Sequence, residues 1–122
     1  MHYYEALKEC IENGKKITRE DWNGKGMFVY YVEPHNVDID DWYDQDALTE
    51  KEIEEGTVQI AGHFDMYNAQ GIRIIGWLAS QTDMASDRWE IYESEEEREK
   101  RLKELKIMLD ELDKDGFFDT KE

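Results

Sequence analysis

The chain has 122 residues, enough for one modest hydrophobic core and too few for two independent domains of ordinary size. Its formal charge of −16, from 15 Lys/Arg against 31 Asp/Glu, opposes a phosphate backbone and excludes ordinary DNA or RNA binding. A single cysteine, Cys10, rules out an internal disulfide, no apolar run nears the roughly 18 residues of a membrane span, and no export leader is visible; the expectation is a cytoplasmic protein with no nucleic-acid or membrane partner.

The opening "YYEALKECIENG" places Tyr3, Leu7, Cys10 and Ile11 on one helical face, with Gly14 as C-terminal cap, and predicts a helix over 3–13. Then "KKITRE" and "MFVYYV" read as strands joined by "DWNGKG", where Asn-Gly is a hairpin signal because both residues tolerate positive φ. In "MFVYYV" both alternate sets, Met27/Val29/Tyr31 and Phe28/Tyr30/Val32, are apolar. One short helix covers one face, so a second layer is expected, by preference from another subunit.

Residues 33–47, with the only proline and five aspartates, read as loop. "LTEKEIEEG" follows as a short helix with Thr49 as cap, Glu52 as its capping-box partner and Gly56 as stop. "TVQIAGHFDMY" and "GIRIIGW" are predicted strands around the turn "NAQG", "LASQTDMASD" a loop with one helical turn, and "RWEIYE" a closing strand. From Ser94 the chain becomes a charged helix with Leu102, Leu105, Leu109 and Leu112 in an a/d stripe too short for a free-standing coiled coil. The predicted fold is α+β: a small antiparallel β-sheet with an N-terminal helix, an acidic insertion at 33–61 and a C-terminal helical extension, divided as domain 1–93 and extension 94–122.

Charge is unevenly spread along this plan. Residues 1–32 balance five cations against five anions, whereas residues 33–62 carry one against ten. An anionic ligand therefore points to the cations Lys15, Lys16, Arg19 and Lys25.

The histidines His2, His35 and His63 have no ligand-like spacing, and no nucleophile motif surrounds Cys10, so no metal, cofactor or catalytic residue is expected. The end of the chain partly matches a calcium loop through Asp113, Asp115, Gly116, Phe118 and Glu122. Glu111 and Leu112 fill its first two positions wrongly, which favours a plain acidic terminus.

A richer cluster combines Trp22, Asn23, Gly24, Lys25 and Gly26 with Trp77, Ser80, Gln81, Thr82, Asp83 and Trp89. Glycine-rich turns expose N–H groups to phosphate oxygens, aromatic planes stack bases, and amides and carboxylates suit ribose hydroxyls. The combination fits a nucleotide-like ligand, although "WNGKG" is equally a serviceable hairpin turn with a core tryptophan.

"GKKITREDWNGKGMFVYYV" and "HFDMYNAQGIRIIGWLASQTDMASDRWEIYE", about half of the chain, resemble the phage and prophage proteins of the type 2 Thoeris anti-defence family. The resemblance implies a small α+β homo-oligomer, a dimer of dimers. It implies a sponge that binds, without cleaving, the cyclic ADP-ribose isomer made by a bacterial TIR-domain protein, or a cyclic oligonucleotide, in the host cytoplasm. The family motif falls on Trp22, Asn23, Gly24, Lys25, Gly26, Asp65, Met66, Trp77, Ser80, Gln81, Thr82 and Asp83. The expected ligand-binding set is Trp22, Asn23, Gly24, Lys25, Gly26, Arg73, Trp77, Gln81, Thr82 and Asp83. In it Trp22 or Trp77 stacks on adenine, Lys25, Arg73 and the turn amides meet phosphates, and Asn23, Gln81 and Asp83 hold ribose hydroxyls. The acidic stretch 33–61 and the tail 94–122 depart from the family pattern. They leave a rival reading, an acidic interaction protein or DNA mimic that blocks a host factor; a nucleotide hydrolase lacks a convincing acid–base or metal set.

Overall fold

The computed structural model describes residues 1–22 and 26–114. By contacts the chain divides into two compact units, Met1–Tyr92 and Glu93–Glu122. Helix α1 spans Tyr3–Asn13 and stops where Gly14 turns left-handed (φ 63°) and returns its N–H to the Glu9 carbonyl. Its buried face runs Tyr3–Ala6–Cys10 at spacings of three and four, with Ala6 and Cys10 almost wholly enclosed. Ile11, expected on that face, lies one residue further round the helix and is 44% exposed.

Five short strands build the main antiparallel sheet: β1 (Ile17–Arg19), β2 (Phe28–Val32), β5 (His63–Tyr67), β6 (Arg73–Ile75) and β7 (Trp89–Ile91), in the order β6-β5-β2-β1-β7. The predicted β1/β2 pairing is present, with Ile17 opposite Val29. A separate two-stranded sheet pairs β3 (His35–Asp38) with β4 (Thr57–Ile60). Two expectations change here. Residues 33–47 contain a strand and two 3-10 turns, Ile39–Asp41 and Gln45–Ala47, where a loop was expected. "TVQIAGHFDMY" is two strands in different sheets, broken at Ala61–Gly62.

Between β3 and β4 sits α2 (Glu50–Glu55), bounded as its letters predict. Thr49 Oγ1 accepts the Glu52 N–H, Glu52 Oε1 accepts the Thr49 N–H, and Gly56 ends the helix at φ 78°. Helix α3 (Gln81–Ala85) follows β6, and α4 (Glu95–Lys114) forms the second unit, where the Ser94 hydroxyl accepts the Glu97 N–H. None of these helices is long and apolar enough to cross a membrane.

The cross-strand register explains why both faces of β2 are apolar in sequence. On one face Ile17, Val29, Met66 and Trp89 pack with Ala6 and Cys10 of α1 to form the core. On the other, Phe28 packs on Tyr67 and Tyr92, with ring centroids 5.2 and 4.8 Å apart. The Arg73 guanidinium lies 5.5 and 5.3 Å from the rings of Tyr30 and Tyr67, and Lys16 Nζ lies 5.0 Å above Phe28. Rings that cover one another and carry two cations finish this face without a second helix on it among the described residues of the first unit.

A bulge closes the β5/β6 ladder. Trp77, not Gly76, donates to the Phe64 carbonyl (2.7 Å), so two residues stand opposite one, and Gly76 takes φ 77°. The N–H that the bulge strands at Gly76 is accepted by Asp65 Oδ1 at 3.0 Å, and His63 Nδ1 lies 2.7 Å from the same oxygen. Asp65 is 3% exposed, and these contacts satisfy its Oδ1.

Two measurements follow. Asp65→Ala removes the charged acceptor of the Gly76 N–H and should cost about 1.5–3 kcal/mol in chemical denaturation, the scale of a hydrogen bond to a charged group; an unchanged midpoint contradicts the bulge assignment. Burial pushes the Cys10 thiol up to about 11, so below that value it stays a protonated, enclosed thiol. A disulfide reagent at neutral pH should label Cys10 only after denaturation, and rapid labelling of the folded protein contradicts its placement.

Candidate functional site

Beside β1 and β7, four segments converge on one residue, Asp83. Helix α3 begins with Ser80 as cap: its hydroxyl accepts the Asp83 N–H at 3.0 Å, and Asp83 Oδ2 accepts the Ser80 N–H at 2.9 Å. The other oxygen of Asp83 accepts from Arg19 Nη1 (2.6 Å) and from the Trp22 indole N–H (3.3 Å). Arg19 also grips Asp21 with two parallel bonds, Nε–Oδ1 at 3.1 Å and Nη2–Oδ2 at 2.8 Å. The backbone carbonyl of Asp83 accepts the Trp89 indole N–H at 2.8 Å.

Around this knot three tryptophans meet edge to face: Trp22–Trp89 at 5.3 Å, Trp22–Trp77 at 6.3 Å and Trp77–Trp89 at 6.4 Å between centroids. Trp89 is buried in the core, while Trp22 and Trp77 are partly exposed against it. Beside the knot lies an open concavity of about 500 Å³ lined by Arg19, Gln81, Thr82, Ala85 and Ser86. That volume lies within the range of small-molecule sites.

The electrostatics are internally settled. Burial pushes the Asp83 carboxyl up, but the Ser80 N–H, the Arg19 guanidinium, the Ser80 side chain and the Trp22 indole together hold it below the usual aspartate value. Hydrogen bonding to Asp21 first, and then to Asp83, raises Arg19. Burial followed by the Asp83 charge raises the Tyr3 hydroxyl of α1. The one charged residue lining the concavity, Arg19, is thus paired with carboxylates of its own chain.

Of the expected ligand set, Trp22, Trp77, Gln81, Thr82 and Asp83 are brought together, and Gly26 stands at the turn with φ 77°. Asn23, Gly24 and Lys25 lie outside the described residues, as does the calcium-loop pattern beyond residue 114. Arg73 is placed elsewhere: it pairs with Tyr67 across the sheet and donates to the Tyr30 hydroxyl at 3.0 Å, on the face opposite the tryptophans. Asp83 is anchored from within the protein, by donors on Arg19, Trp22 and Ser80. The expected set omitted Arg19, Ser80 and Trp89. The Ser-x-x-Asp spacing of 80–83 is itself a helix-cap signature, and Arg19 is one of the two cations three residues from Trp22 in sequence. The histidines are dispersed: His35 Nδ1 meets the Glu33 carbonyl, His63 meets Asp65, and His2 precedes α1.

The depressed Asp83 value fixes a sign. The stability this carboxylate contributes is full above the ordinary aspartate value near 4 and is lost as pH falls through the depressed value. Asp83→Asn should lower stability at pH 7 by about 1.5–3 kcal/mol, the scale of hydrogen bonds to a charged group. It should also shrink the stability lost on acidification; parallel pH–stability curves for variant and wild type contradict the assignment.

Residues 1–92 match the Thoeris anti-defense 2-like domain family. The protein named Thoeris anti-defense 2 of Bacillus phage SP01 is 25% identical over 91 residues, covering 75% of this chain and 93% of that protein. With three quarters of its length inside the domain, the chain belongs to the Thoeris anti-defense 2-like family.

Proposed function

We propose that the chain sequesters, without cleaving it, a cyclic ADP-ribose-type or related cyclic nucleotide signal and so blocks bacterial antiphage defence. The observation that carries this reading is the concavity beside Arg19, Gln81 and Thr82, set on the Asp83 knot in a chain of the anti-defense family. Gln81 and Thr82 are exposed amide and hydroxyl groups suited to ribose oxygens, and the partly exposed rings of Trp22 and Trp77 offer apolar area to a base. Residues 23–26 are the source of phosphate donors. Asp83 acts in this reading by positioning Trp22 and α3, and Arg73, on the other face, takes no part in its own chain's concavity.

A sponge gains affinity from walls that need no ordering on binding, and the Arg19–Asp83–Trp22 network fixes one wall residue, Arg19, and the start of α3, which carries the others. Binding without turnover is supported by the same network: the charged groups beside the concavity are committed to one another and are not poised as a proton donor and acceptor. The reading includes a homo-oligomer, a dimer of dimers, acting in the cytoplasm of an infected bacterium, as the phage origin of the relative suggests.

One observation favours the rival, an acidic interaction protein. The insertion is a built ribbon of β3, α2 and β4 that leaves Tyr43 86% and Ile53 55% exposed among its carboxylates.

The deciding experiment mixes the protein with a cyclic ADP-ribose isomer, separates the complex, releases the ligand by heat and assays it. Intact ligand, recovered near one equivalent per site, is expected; a cleaved product overturns sequestration. Thr82→Trp should fill the concavity and weaken binding by at least about tenfold, or 1.4 kcal/mol, with unchanged melting. If neutralising the acids of 33–61 abolishes anti-defence activity while Thr82→Trp does not, the rival reading wins.

A further inference from the structure

The sheet ends at β6, and this edge is unusual for so acidic a chain. Ile72, Ile74, Ile75 and Leu78 are 60, 40, 69 and 89% exposed, and from Met66 through Thr82 the only charged residue is Arg73. Native edge strands are commonly blunted by charge, proline or a covering element, because their open N–H and C=O groups invite pairing. None of these devices interrupts Ile74–Ile75, and no strand lies beyond β6 among the described residues.

The open groups can be assigned. The Asn68 N–H donates to the Ile72 carbonyl at 3.0 Å, so the 68/72 pair is a hydrogen-bonded one, and Met66/Ile74 is the next of that kind. Alternation then turns the backbone groups of Arg73 and Ile75 away from β5, toward the free edge.

We infer that β6 pairs antiparallel with β6 of a second copy about a two-fold axis, Arg73 of each facing Ile75 of the other and Ile74 facing Ile74. This rests on the homo-oligomer of the proposed function and names its contact. In that register the four outward-turned backbone groups of each copy are matched. Each guanidinium faces an isoleucine, never its own like. The charge distribution selects a second copy as occupant: two chains of −16 repel over most of their surfaces, and 66–82 is the long stretch free of carboxylates. In sequence the chain runs from this edge through Leu78 to Gln81 and Thr82, which line the concavity.

Charge substitution at Ile75 tests the register. Ile75→Lys sets an ammonium against Arg73 of the second copy at both ends of the pairing, while lowering the net negative charge that opposes association generally. Ile75→Asp sets a carboxylate there instead. By sedimentation equilibrium, wild type is expected to self-associate, Ile75→Lys to weaken this at least about tenfold, and Ile75→Asp to retain it. Both should fold with the secondary structure of the wild-type protomer, because Ile75 is exposed. Should Ile75→Lys not fold, Ile75→Asp decides alone: assembled supports the pairing, monomeric overturns it. An oligomeric wild type with Ile75→Lys equally associated overturns the edge and leaves the oligomer standing; a monomeric wild type overturns both. Binding of a cyclic ADP-ribose isomer, measured in parallel, reports separately on sequestration.

Discussion

The carboxylate of Asp83 is the point on which the rest of the first unit turns. It ties β1 through Arg19, the residues just after β1 through the Trp22 indole, and its own helix through Ser80, while its backbone carbonyl takes the indole of Trp89 in β7. A buried anion is costly unless its oxygens are matched, and here each has a donor. The same bonds that meet that cost set Trp22, Trp77 and α3 in fixed relation, and so shape the concavity that the proposed function uses. Asp65 has the same role in β5, where its carboxylate caps the N–H set free by the Gly76 bulge.

Much of this was legible in the letters where local chemistry decides structure. Helix α1 ends at Gly14, α2 is framed by Thr49, Glu52 and Gly56, and "WNGKG" lies between two strands that pair. Illegible features depended on partners distant in sequence. "HNVD" has no apolar pattern, and it is a strand because α2 returns Thr57–Ile60 alongside it. Arg73 is the instructive case. Strict alternation puts residues 73, 75 and 77 on one face, which groups Arg73 with Trp77. The bulge at Gly76 moves Trp77 to the core face and leaves Arg73 with Tyr30 and Tyr67 on the other. A glycine inside a strand pattern was the sole hint. Likewise the doubly apolar β2 concealed a face of stacked rings and two cations, because letters report hydrophobicity and not contact geometry.

Charge organises the molecule at a larger scale. The carboxylates concentrate in the insertion and in α4, the tryptophan knot pairs Arg19 with both Asp21 and Asp83, and the stretch from β6 to α3 is nearly uncharged. An acidic protein that captures an anion gains from such a division, since long-range repulsion falls wherever carboxylates are absent or paired. The exposed edge and the concavity share this quiet stretch.

The proposed sequestration requires the ligand to sit against α3 and the Asp83 knot. Hydrogen–deuterium exchange with and without a cyclic ADP-ribose isomer tests that placement most directly. Ligand-dependent protection is expected at the amides of 19–22 and 80–86, with 35–60 unchanged. Binding accompanied by protection confined to 35–60, or to β2 and β5 around Arg73, would contradict it.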